Sequence, residues 1–169
     1  MFVLGIDPGV SRCGYGVVAR SGGRLEAVKA GVITTPADQP LSVRLAGLLA
    51  ELRRLMAEAT PEVVVVERVL FQANARTAMA VGQASGVALV AAADAGLPVV
   101  QYSPNEVKQA VAGYGSATKT QVQRMVQTVL HLPLRPRPPD AADALALAVC
   151  HLTGAGLRAA LAAEARSGA

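Results

Sequence analysis

The sequence predicts an α/β chain built on a mixed five-stranded sheet with helices on both faces. Three observations carry that reading. The chain opens with three strand-like segments joined by short turns. Two later strand segments are reached only through helical stretches. One of those later strands holds four valines in a row, Val63-Val64-Val65-Val66, which suits a strand covered on both sides.

Taken in order, Phe2 to Ile6 is an apolar run closed by Asp7-Pro8-Gly9, a strand followed by a turn signal. Cys13 to Ala19 is the second strand and contains Gly14 and Gly16. Gly22-Gly23 is a turn, and Leu25 to Thr34 the third strand, so the three form an antiparallel meander. Leu41 to Ala59 has helical period, with Leu41, Leu45, Leu48, Leu52 and Leu55 on one face. Thr60-Pro61 ends it, and the valine strand runs to Glu67. Asn74 to Ala95 is a helix rich in Ala and Gly, whose small residues allow close approach to the sheet or to a second subunit. Leu97 to Tyr102 is the fifth strand. Asn105 to Ala112 is a short helix opened by Ser103 or Pro104. Ser116 or Thr118 caps the next helix, which runs to about Leu130. Leu132 to Pro139 is an extended, proline-rich link, and Asp140 to Leu152 is the last helix.

Composition sets limits. The 169 residues suit one domain, read over 1–153, followed by an Ala/Gly-rich tail over 154–169 expected to fray. With 52% apolar residues there is enough material for a core. Only Cys13 and Cys150 occur, far apart, which excludes a disulfide scaffold and a cysteine-rich zinc site. Two reduced thiols and the lack of a signal peptide suit a cytoplasmic protein. The uncharged stretch 77–93 is too short for a membrane span and reads as a buried helix. The net charge of +4 is uneven: residues 71–137 hold 6 basic and 2 acidic groups. A basic middle suits a polyanionic partner.

Four acids are the candidate chemistry. Asp7 and Glu67 end strands, where ligands bind in α/β sheets. Asp140 and Asp143 lie three apart, on one face of the last helix together with Leu147 and His151. The opposite face, Leu145, Val149 and Leu152, is the better core face. Plainer readings exist. Asp7 suits a turn, Glu67 a solvated strand end, and Asp140 the positive end of a helix dipole. If the four converge, however, like charges ~4 Å apart repel by about 4 kcal/mol at an effective dielectric near 20. Cations or protons must then intervene. Oxygen donors with open positions suit Mg²⁺, with Mn²⁺ as a substitute. Two such ions can activate water and stabilise a leaving oxygen at phosphorus. Spacing alone does not establish convergence.

Lys108 and Lys119 are two of only three lysines, and Lys119 sits at a helix start where backbone N–H groups can hold phosphate. Arg76, Arg124, Arg135 and Arg137 add to the basic middle; each also suits a plain solvated surface. Phe71, in a polar loop, suits either base stacking or a core plug. His131 and His151 are read as structural.

A set of motifs then falls into order: Gly5-Ile6-Asp7-Pro8-Gly9 with Gly14-Tyr15-Gly16, Val64-Val65-Val66-Glu67, Gly82-Gln83-Ala84-Ser85-Gly86-Val87-Ala88, Val107-Lys108-Gln109, Gly115-Ser116-Ala117-Thr118-Lys119 with Val122-Gln123, and Asp140-Ala-Ala-Asp143-Ala-Leu145-Ala. Together they resemble the bacterial RuvC Holliday-junction resolvases from about residue 2 to 152. The resemblance implies an RNase H-like fold and a homodimer that nicks two opposing strands of a four-way DNA junction, leaving ligatable ends. It implies that Asp7, Glu67, Asp140 and Asp143 hold two Mg²⁺ ions per site, with Lys108 and Lys119 near the scissile phosphate. It implies junction stacking by Phe71, dimer contact through Gly82 to Ala88, and work with a branch-migration helicase complex of the RuvA–RuvB type; Arg76, from the basic middle, is read as a further DNA contact. One departure stands out. The family's usual aromatic falls three positions after the glutamate, where this chain has Leu70; the aromatic here is Phe71.

Three rivals remain. An actin-like ATPase shares the opening strand but needs far more chain. A junction-binding module without catalysis, or a nuclease of the same fold for linear duplex or RNA–DNA hybrid, is separated by substrate comparison.

Overall fold

The computed structural model describes the backbone of residues 1–69 and 75–167, and the side chains of 1–69 and 78–154. Five strands form one sheet: β1 (Phe2–Asp7), β2 (Arg12–Ser21), β3 (Arg24–Thr34), β4 (Val63–Glu67) and β5 (Val99–Tyr102). Their order across the sheet is β3-β2-β1-β4-β5. The first three pair antiparallel, while β1–β4 and β4–β5 are parallel. This is the mixed sheet predicted above. The parallel pairs need crossovers, which α1 (Leu41–Ala59) and α2 (Ala75–Asp94) supply.

Strand alternation sorts the core into two layers. Leu4, Ile6, Val64 and Val66 pack with α1 and α2. Val3, Val18 and Val65 face the other way, onto a cluster containing residues of α3 (Pro104–Ala112), α4 (Lys119–Val129) and α5 (Pro139–Ser167). The period of two therefore turns Asp7 and Glu67 toward the α5 layer, in line with Val3 and Val65.

Local chemistry fixes the helix starts. Ser103 accepts from the backbone N–H of Glu106 while the Glu106 side chain accepts from Ser103 N–H, a reciprocal cap with Pro104 at the first position. Thr118 and Gln121 repeat the device at α4.

The structure departs from the sequence reading most at β5 and α5. β5 starts at Val99, not Leu97, because the Leu97 N–H closes the end of α2 on Ala92 O, next to Gly96 at φ 68°. α5 continues to Ser167 rather than stopping at Leu152, in keeping with the Ala, Leu and Arg that fill its second half. The face of α5 opposite the one read as the better core face is also core. Leu147 and His151 are as buried as Leu145 and Leu152, because α3 and α4 cover the face that the sheet does not. His151 is structural, its Nδ1 lying 3.1 Å from the Tyr102 hydroxyl. Among the described residues no helix is long and apolar enough to cross a membrane.

Candidate active site

Asp7 ends β1 and Glu67 ends the parallel neighbour β4, one step past the paired Ile6 and Val66. Asp140 and Asp143 arrive on the first turns of α5, and glycines let that helix come so close. A Cβ on Gly5 would lie 2.0 Å from the Ala144 carbonyl oxygen, and one on Gly14 would lie 2.1 Å from that of Asp140. Gly16 would meet Leu145 in the same way, at 2.8 Å. Gly5 faces Gly16 across the β1–β2 ladder, and Asp7 faces Gly14. The motif glycines are thus a bare-backbone seat for α5, and the seat lies beside Asp7.

The electrostatics follow from that closeness. Burial is the main reason the Asp7 carboxyl is pushed up from 3.8 to about 7, with the negative charges of Glu67, Asp143 and Asp140 adding to it and Lys119 opposing. Glu67 is raised by burial and then by Asp143. Asp143 is raised by burial, against the pull of Lys119. Burial works against the Lys119 charge, yet its hydrogen bond and attraction to Asp143, with Asp7 and Asp140 behind, raise it overall. Asp7 senses the other three acids, so the fold gathers the four at one end of the sheet, a convergence that their spacing left open.

Two cations hold the helix-borne pair. Lys119 Nζ donates to Asp143 at 2.5 Å. Arg12 donates to one oxygen of Asp140 through Nε at 3.1 Å and Nη2 at 2.8 Å. The sequence reading missed Arg12, whose partner lies 128 positions away. Its only local signal is the tight turn before it, where a Cβ on Gly9 would lie 2.3 Å from the Arg12 carbonyl oxygen. Among the described residues no three acidic, imidazole or thiol side chains stand in position to hold one ion together. The donor set itself suits a hard divalent cation: four carboxylates, oxygen only, crowded enough that Asp7 resists ionising.

A cleft of about 310 Å³ runs from Glu67 and Asp143 past Lys119 to Lys108, floored by Val107, Val122 and Leu147. Lys108 therefore joins the site from α3. Phe71, Leu70 and the Arg76 side chain lie outside the described residues.

Comparison with known proteins gives the family. The family model for crossover junction endodeoxyribonuclease RuvC matches residues 3–151. The crossover junction endodeoxyribonuclease RuvC of Moorella thermoacetica is 54% identical over 151 residues, covering 89% of this chain and 90% of that one. The Thermus thermophilus RuvC structure superposes with a TM-score of 0.85 at 39% identity, covering 93% of this chain and 96% of the other. T. thermophilus RuvC in complex with a Holliday junction substrate matches with the same TM-score of 0.85, at 38% identity and the same coverage of 93% and 96%. With the RNase H-like sheet, the acidic quartet and these matches together, the chain belongs to the RuvC family of crossover junction endodeoxyribonucleases.

Proposed function

We propose that Asp7, Glu67, Asp140 and Asp143 are the catalytic carboxylates of this chain, and that they cut DNA at the mouth of the cleft that Glu67 and Asp143 line with Lys119 and Lys108. The chain is a nuclease that resolves Holliday junctions in DNA recombination and repair. The single observation that carries the residue assignment is the Asp7 carboxyl, raised to about 7 by burial and three neighbouring carboxylates. A protein keeps so costly a cluster where positive charge is to be bound.

The family is metal-dependent, and the ions assigned here are two Mg²⁺, with Mn²⁺ able to substitute. When bound, they make water nucleophilic at neutral pH and stabilise the leaving 3′ oxygen. Asp7 and Glu67 offer oxygens from the rigid strand ends, and Asp140 and Asp143 from the seated helix. Lys119, on the first turn of α4, carries its charge beside Asp143 and so faces a phosphate lying over the acids. Lys108 lines the same cleft and extends the positive wall.

Paired nicks require two such sites, so the functional unit is a homodimer. Its contact is assigned to α2, which exposes Met79 and Val90 and has open space beside Gly82 and Gly86. Junction selectivity comes from DNA shape and the spacing of the two sites. A branch-migration helicase complex of the RuvA–RuvB type is the assigned partner. The cytoplasm is the assigned compartment, in keeping with the buried thiols of Cys13 and Cys150, which lie far apart in the sequence. The nuclease domain is assigned to residues 1–153, with 154–169 as an appendage.

The test is cleavage of a synthetic four-way junction against a linear duplex of the same arms, with and without Mg²⁺ or Mn²⁺. Paired, metal-dependent, religatable nicks on the junction alone are expected. Asp7→Asn is expected to abolish cutting while keeping junction binding. Full-rate cutting by that variant overturns the carboxylate assignment.

A further inference from the structure

Outside the cleft, most described cations are held by a partner: Arg20 and Arg44 by carbonyl and hydroxyl oxygens, and Lys29 by Glu58. Arg12, Arg53, Arg54 and Arg68 each pair with a carboxylate. Arg124, Arg135 and Arg137 form no ion pair with any described residue, and the sequence holds no acid from 107 to 139. These three arginines are exposed and lie close together. Arg124 and Arg135 line a hollow of about 660 Å³ with Gln127, Thr128 and His131. Arg135 and Arg137 line a second, of about 250 Å³, with Gln123 and Pro139. Arg135 belongs to both hollows, and Pro139 is the residue before Asp140. A continuous basic track therefore leads from the N-terminus of α5 along α4.

The track is built in. Gln127 holds the turn after α4 through its side-chain amide, which donates to Leu132 O at 3.3 Å and Pro133 O at 3.4 Å. The Leu132 N–H returns to Gln127 O at 2.9 Å. Uncompensated arginines interleaved with amide and hydroxyl groups suit the oxygens of a phosphate backbone. Leading from the site that cuts DNA, the track favours DNA over an acidic protein.

We propose that Arg124, Arg135 and Arg137 bind the backbone of the duplex arm beside the cut strand, away from the branch point, and anchor that arm while the cleft engages the junction. This rests on the resolvase reading of the cleft.

The experiment measures binding of the full chain to four-way junctions with arms of two helical turns or of one, across a salt series without divalent ions. The triple variant Arg124→Gln/Arg135→Gln/Arg137→Gln is expected to bind the long-armed junction at least ~10-fold more weakly and to lower the salt slope by about 2–3. Shortening the arms should cost the wild type a similar factor and the variant almost nothing. The corresponding triple lysine variant should restore the slope, because phosphate attraction needs charge. Arg135→Gln should weaken binding where Arg24→Gln does not. Arg24 likewise forms no ion pair with any described residue, and lies on the turn at the end of the sheet opposite Asp7. Circular dichroism melting checks that the triple variant is folded. Wild-type affinity and slope in that variant, or an equal loss on both arm lengths, overturns the proposal. If the wild type itself does not prefer junction to linear duplex, it is the resolvase reading that fails.

Discussion

Arg12 and Asp140, 128 positions apart in the chain, meet at the mouth of the site, where two guanidinium nitrogens converge on one carboxylate oxygen. The pair is half exposed on the arginine side. Such a pair stabilises by about 0–1 kcal/mol. With Asp140 as one of the proposed metal-holding carboxylates, its chief effect would be to occupy an oxygen that the ions would otherwise take. Arg12→Gln should therefore lower the metal concentration for half-maximal cleavage by about 2–5-fold while leaving the melting temperature almost unchanged. A metal titration of junction cleavage checks this, and an unchanged midpoint contradicts it.

Asp7 sets an unusual pH dependence. Its folded value of about 7 lies above the ordinary 3.8, so the folded chain binds the proton more tightly than the unfolded chain. Stability without metal should rise as pH falls from above 7 toward 4 and be lost as Asp7 ionises, the reverse of a salt-bridged carboxylate. Glu67 and Asp143 are raised and act in the same direction. The change from 3.8 to about 7 corresponds to at most about 4 kcal/mol. Thermal melts between about pH 5 and pH 8 should show the slope in wild type and a flattened one in Asp7→Asn or with added divalent ions.

Gly14 is a positional prediction. A methyl there collides with the Asp140 carbonyl, and backbone cannot swing away as a side chain can. Gly14→Ala should cost about 1–3 kcal/mol and reduce cleavage further than the melt explains, since Asp140 moves with the helix. Gly47, exposed on α1 with nothing within 4 Å of its missing Cβ, is the control. Gly47→Ala should be neutral or stabilise by up to about 1 kcal/mol.

Lys119 separates binding from chemistry. Removing its charge in Lys119→Gln should lower kcat by about 10²–10³ and change junction affinity only modestly. Lys108→Gln, farther along the cleft, should shift the balance toward binding. Single-turnover cleavage and gel-shift titration on the same junction measure both.

Much of this was legible in the residues. Period-two alternation turned Asp7 and Glu67 onto one side of the sheet, and α1 occupies the span its leucine spacing marked. The role of the opening motifs' glycines was not read from the sequence, which credited close approach to α2 alone, because the helix they admit is a tertiary fact. His151 was read as structural, but that its whole face with Leu147 is core was not legible, because it depends on α3 and α4 closing over a face that α5 alone leaves open. Nor was the Arg12 pair, since no local pattern links residues on β2 and α5. The end of α5 was misread because Gly154 and Gly156 look like punctuation, while their neighbours favour helix strongly enough to carry it through.

The seat of α5 has a mechanical meaning as well. Where side chains interdigitate, a layer of rotatable groups can yield and absorb a displacement. Here helix backbone rests against strand backbone at Gly5 and Gly14, with no such cushion between them. Farther along, the Arg20 guanidinium grips the Leu152 carbonyl. The helix is thereby a stiff lever, clamped at both points, and a push on its far end is delivered to two of the four carboxylates with little damping.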